Sequence, residues 1–129
     1  MMQSRIHTLH LERAYVELIR NKQKTVEGRL NKEKYQTMRP GDILAFCVKK
    51  DRSDTTFCKV LGLRLYATFR TMLEAEGLRS CLPTAETLEE GVATYHRFAD
   101  YQQREKRDGV LAINMVYLGS GRSLEDVLQ

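Results

Sequence analysis

Pro40-Gly41-Asp42 is strong turn punctuation, and it leads directly into an unbroken apolar run from Ile43 to Val48. A run this short, bounded by a turn before it and the polar stretch Asp51 to Thr55 after it, predicts a buried strand. Thr56 to Thr68 then returns with β-branched and aromatic residues, so the segment predicts a hairpin, with Gly62 as a candidate bulge or bend.

The remaining segments fit around that hairpin. Ile6 to Leu11 alternates apolar and polar side chains and reads as a short strand. Leu11, Ala14, Tyr15, Leu18 and Ile19 follow at the spacing of one helix face. Phe69, Met72 and Leu73 predict a short helix ending near Gly77. After Pro83, Leu88, Val92 and Tyr95 share one side of a further helix, with Thr87 and Glu90 spaced as a capping box and Gly91 inside at a cost of up to about 1 kcal/mol relative to alanine. The polar stretch Tyr101 to Gly109 reads as a loop or hairpin connector, and Val110 to Leu118 as the last strand. This order predicts an α+β fold, a small mixed sheet curled into a barrel with flanking helices. The domain is expected over residues 1–118, with a tail over 119–129 carrying a short helix through Leu124, Val127 and Leu128.

At 129 residues one core buries roughly two-thirds of the unfolded chain's surface, so neither metal nor disulfide staples are required. Cys47, Cys58 and Cys81 are odd in number and form no CxxC pair, which reads as reduced thiols in a cytoplasmic protein. No segment approaches the roughly 20 apolar residues of a membrane span, and none has the form of a signal peptide. Through Arg52 there are twelve Lys and Arg against six Asp and Glu, and from Ser53 onward nine against eleven. The positive first part favours an anionic partner such as RNA, DNA or a phosphorylated small molecule.

The sharpest local cluster is Lys24-Thr25-Val26-Glu27-Gly28-Arg29. In an extended segment Glu27 and Arg29 share a face, and Lys24 joins them only if the backbone bends, for which Gly28 is the obvious hinge. A carboxylate between two such cations has its pKa lowered by roughly 1 to 3 units. The bland alternative is a solvated surface ion pair worth about 0 to 1 kcal/mol. Lys22, Lys32 and Lys34 add positive charge beside Tyr35, a combination suited to phosphate with a ring for a base to stack on. His7 and His10 point to opposite faces of a strand and find no further ligand, so neither a metal nor another cofactor is expected. Cys47 and Cys58 read as buried structural thiols, and Tyr95, beside His96 and Arg97, reads as core rather than site.

Lys24, Glu27 and Arg29, followed by Arg39-Pro40-Gly41-Asp42-Ile43-Leu44-Ala45-Phe46, resemble the signature of the ASCH family, named for activating signal cointegrator homology. Phe69 to Leu73, Glu76-Gly77-Leu78, Leu82-Pro83, Leu88 to Val92, Tyr95 and Asp108 to Ile113 extend the resemblance in order. It implies a β-barrel similar to the PUA domain, with the Lys-Glu-Arg motif lining a cleft for RNA. The expected function is an RNA- or nucleotide-binding module, with Lys24, Glu27 and Arg29 at its core and Lys22, Lys34 and Tyr35 as peripheral contacts. The alternative is a small hydrolase with Lys24, Glu27 and Arg29 as catalytic groups, either a ribonuclease or an amidohydrolase on a modified nucleoside such as N4-acetylcytidine. The resemblance is imperfect at two places: Lys22 stands where relatives usually have Gly, and Phe98-Ala99-Asp100 where relatives often have Phe-Tyr-Ser. The amidohydrolase relatives place a nucleophilic Thr at the position of Glu27, so that mechanism would need Thr25 or a water instead.

Overall fold

In a computed structural model, which describes residues 4–128, β3 (Ile43–Val48) and β4 (Asp51–Tyr66) form the expected hairpin. β5 (Val110–Gly121) pairs antiparallel with β4, and β2 (Val26–Leu30) antiparallel with β5. β1 (Ile6–His10) lies parallel to β3, giving the strand order β1-β3-β4-β5-β2. Register shifts at Phe57/Cys58 and Val60/Gly62 bend the 16-residue β4, and such bulges increase local twist. The sheet therefore curls into a half-barrel whose two edges are β1 and β2. Among the described residues no ladder joins those edges, and the Arg29 guanidinium crosses the seam to donate to the His10 carbonyl at 2.8 Å.

Two large apolar clusters and a smaller third hold the sheet. One lies inside the curl, where Leu9, Leu44, Phe46, Val60, Ile113 and Met115 meet Ile19 of α1 (Arg13–Arg20). On the other face, Val26, Leu30, Val110 and Ala112 pack against α2 (Phe69–Glu76), α3 (Leu78–Cys81) and α4 (Leu88–His96) through Phe69, Met72, Leu73, Cys81 and Tyr95. Thr68 caps α2 with a complete capping box. Thr87 caps α4 by accepting from the Glu90 N–H, but the Glu90 carboxylate accepts from Glu86 rather than closing the box on Thr87. Gly91 is explained by packing: a Cβ there would lie 2.7 Å from a Leu78 methyl and 2.9 Å from a Leu73 methyl.

The stretch read as a connector is instead α5 (Tyr101–Asp108), closed by Gly109 at φ +77°. Its anchor is a buried carboxylate rather than an apolar stripe, so hydrophobic periodicity gave no helical signal. Glu105 accepts from the Phe69 N–H at 2.8 Å and pairs with His96 at 2.8 Å, tying α5 to α2 and α4. Beyond Leu118, β5 continues to Gly121 and α6 (Leu124–Leu128) follows, with Leu124 and Val127 against Ile43, Ala45 and Phe57. Residues 1–3 and Gln129 of the expected domain and tail lie outside the described residues.

Candidate functional site: a basic, aromatic pocket at the barrel seam

Side-chain alternation puts Glu27 and Arg29 of β2 on one face, where Arg29 Nε meets Glu27 Oε2 at 2.6 Å. Lys24 joins them from the turn before the strand, its Nζ 3.3 Å from Glu27 Oε1. The same ammonium donates to the Val26 carbonyl at 2.7 Å and the Cys81 carbonyl at 2.6 Å, so its three protons are fully engaged. The bend expected at Gly28 is absent. Gly28 lies inside β2 and serves close approach: a Cβ would lie 2.7 Å from Met72 Cε and 3.0 Å from the Tyr95 hydroxyl.

The solvated-pair alternative is excluded by burial, since the Lys24 and Glu27 side chains are 2% and 6% exposed. Burial opposes ionisation of Glu27, yet the charges and hydrogen bonds of Arg29 and Lys24 prevail and hold its pKa below the ordinary carboxylate value. Burial likewise works against the Arg29 cation, and Glu27 more than offsets it, so the guanidinium stays charged. Two cations around one carboxylate leave a net positive charge at the seam.

These three residues line a cavity of about 470 Å³ that opens between β2 and the β1–α1 corner. Tyr15 from α1, Tyr95 from α4, Phe98 and Tyr101 supply its rings, and Arg13 and Lys49 add positive charge. Against these four cations stand Glu12 and Glu27. Phe98 is 43% exposed and packs on Tyr101 with ring centroids 5.0 Å apart. Tyr95 stacks on Phe69 at 4.2 Å with the rings 9° from parallel, which makes it core as read from sequence. Its hydroxyl, however, is buried in the pocket wall without a hydrogen-bond partner.

Lys22, Lys34 and Tyr35 do not line this cavity. Tyr35 is 5% exposed and packs with Leu9, Ile19 and Met38, so its ring faces are unavailable for stacking. Lys34 sits over that ring, 5.2 Å from its centroid, and Lys22 is exposed on the turn before Lys24. Lys22 has φ +68°, a left-handed conformation that glycine adopts without the strain a Cβ brings. Thr25 is exposed and does not line the cavity either. The sequence reading missed Tyr15, Phe98, Tyr101, Arg13 and Lys49, which come from three separate segments: α1, the β3–β4 turn and the α4–α5 corner. The three cysteines are free and buried, and burial pushes the Cys58 and Cys81 thiols up to about 12. Among the described residues no group of three or more His, Cys, Asp or Glu is placed to hold a metal ion, and no helix is long and apolar enough to cross a membrane.

A curled, mostly antiparallel sheet flanked by helices, with a buried Lys-Glu-Arg cluster at its seam, defines a PUA-like α+β domain. The sequence profile of the ASCH domain matches residues 9–118, and the chain belongs to the ASCH domain family. No curated protein matches the chain. Among solved structures, the hypothetical protein PH0355 is 40% identical, with 87% of this chain and 98% of that one covered at a TM-score of 0.78. The protein PF0455 from Pyrococcus furiosus is 38% identical over 88% and 97% of the two chains, with a TM-score of 0.71. The ASCH protein from Zymomonas mobilis shares the fold at 13% identity, covering 94% of this chain and 75% of that one, with a TM-score of 0.58.

Proposed function

We propose that this protein binds RNA or a nucleotide in the seam pocket, with a base among the rings and its phosphate toward the cationic mouth. The observation that carries this reading is the coincidence, in one cavity of about 470 Å³, of a net positive lining with Tyr15, Phe98 and Tyr101. Apolar rings beside a few fixed polar groups are the usual make-up of a small-ligand site, and this volume lies within the common range. Stacking on exposed rings suits an unpaired base, while Lys49, Arg13 and the outer part of Arg29 suit a phosphate. Lys24 and Glu27 act from beneath, fixing the position of Arg29. The fold of the family is RNA-binding-like, which agrees with this assignment.

The test is a titration of short single-stranded RNA and DNA at two salt concentrations, comparing the unaltered protein with Phe98→Ala and Lys49→Ala. Phe98→Ala should cost about 1–3 kcal/mol of binding free energy. Lys49→Ala should flatten the salt dependence by roughly 0.7 in the log–log slope. Each mixture, and a parallel one with N4-acetylcytidine, is also analysed for shortened or deacetylated product, which would establish the hydrolase alternative. Salt-insensitive binding that neither substitution alters would overturn the pocket as the site.

A further inference from the structure

β2 is an edge strand, and its register determines which main-chain groups are left open. In an antiparallel pair, alternate residues exchange both hydrogen bonds with the partner strand, and the residues between them turn their N–H and C=O the other way. Met115 N–H donates to the Thr25 carbonyl and Asn31 N–H to the Gly109 carbonyl, each at 3.0 Å. With the register Val26↔Asn114 through Leu30↔Val110, Glu27 and Arg29 therefore face β5, and Val26, Gly28 and Leu30 face away from it. The Val26 carbonyl is taken by Lys24 Nζ. Gly28 lines the pocket, and among the described residues nothing donates to its carbonyl or accepts from its N–H. Beside it stands the Tyr95 hydroxyl, 3.0 Å from where a Gly28 Cβ would be, in a residue only 6% exposed and itself without a partner.

A main-chain donor and acceptor thus stand in the lining of a cavity walled by rings, with a hydroxyl that can act as either buried directly beside them. Leaving buried polar groups unpaired is costly, and native proteins rarely do so without a use for them. A planar heteroaromatic edge carrying adjacent donor and acceptor atoms complements this array, whereas a purely apolar ring would leave all three groups unsatisfied.

We infer that the pocket reads the hydrogen-bonding edge of a single unstacked nucleobase through the main-chain N–H and C=O of Gly28, with the Tyr95 hydroxyl as the third contact. This assignment rests on the nucleotide-binding reading above and adds where the base edge is recognised. It makes Tyr95 a specificity-determining residue although its ring belongs to the core. It also gives a binding role to an edge strand that the barrel leaves unpaired.

The experiment uses the full chain, isotope-labelled, titrated with each of the four ribonucleoside 5′-monophosphates while the Gly28 amide resonance is followed. The tightest binder is then compared with its counterpart methylated at the pairing-edge nitrogen that carries the proton, against both the unaltered protein and Tyr95→Phe. The expected result is a shift of the Gly28 amide on binding and a loss of about tenfold or more on methylation. Tyr95→Phe should weaken the unmodified nucleotide about two- to tenfold and the methylated one by clearly less. Equal affinity for methylated and unmodified nucleotides, with the Gly28 amide unmoved, would overturn edge reading while leaving nucleotide binding intact. Absence of saturable binding by every nucleotide, with RNA also unbound, would remove the underlying function and this inference with it.

Discussion

Replacing Glu27 by glutamine keeps the side chain's shape and removes one charge from a site where water cannot compensate. Lys24, 2% exposed at its side chain, loses its counter-ion, and Arg29, 19% exposed, loses a bond of 2.6 Å. Breaking a buried pair by removing one partner costs about 3–5 kcal/mol, because the remaining charge stays desolvated. Lys24 keeps its bonds to the Val26 and Cys81 carbonyls, and Arg29 keeps the His10 carbonyl and some solvent, so the lower end, about 3 kcal/mol, is expected. In urea unfolding followed by circular dichroism, with a slope of roughly 1–3 kcal/mol/M, the midpoint should fall by on the order of 1–3 M. The acid side gives a second reading. Because the folded pKa of Glu27 is lowered, its contribution is present above the unfolded pKa and is lost as pH falls through the folded value. Glu27→Gln should therefore flatten the acid limb of the stability profile. Replacing Lys24 as well, as Lys24→Met with Glu27→Leu, should cost less than the single change, since the fully buried ammonium is then no longer stranded and only the part-exposed Arg29 is left without its carboxylate. A Glu27→Gln cost below about 1 kcal/mol, with the acid limb unchanged, would refute the buried-pair reasoning and return the motif to an ordinary surface interaction.

Tyr95→Phe should raise the stability of the free protein by about 1 kcal/mol, because it deletes a buried hydroxyl with no partner; a measured loss of more than that would mean the hydroxyl is satisfied in solution. Lys22→Gly should stabilise by about 1 kcal/mol, relieving a left-handed conformation at φ +68°, and thermal unfolding provides the check. Glu76, held by Arg64, Tyr66 and Asn114, has its pKa lowered to about 2, so its contribution is complete above the unfolded carboxylate pKa and fades as pH drops toward about 2. The full shift corresponds to about 3 kcal/mol, and exposure of its partner Arg64 at 60% reduces this to about half. Arg64→Ala should remove most of that pH dependence in acid titrations of stability.

Much of the scaffold was legible because it depends on local patterns. The apolar run of β3, the turn at Pro40-Gly41-Asp42, the helix faces of α1 and α4 and the bulge near Gly62 each follow from spacing, turn chemistry or a missing side chain. Glu27 and Arg29 could be placed together because strand alternation is a fixed period. α5 escaped because a buried carboxylate, not an apolar stripe, secures it, and that carboxylate's partners lie on other helices, 36 and 9 residues away. Tyr35 was assigned to the ligand for its neighbours in sequence, whereas the curl of the sheet turned its ring into the core.

What the sequence by itself determined is most of the elements and a Lys-Glu-Arg cluster capable of holding a charge. Whether that cluster is buried, which rings surround it and which strand edge stays open were decided only by the curling of the sheet. That curl brings α1, β1, β2 and the α4–α5 corner to one seam from distant parts of the chain. The physical reason is that burial and open hydrogen-bonding capacity are properties of the assembled surface. A residue's own side chain cannot specify which neighbours will exclude water from it, or whether a strand beside it will be paired.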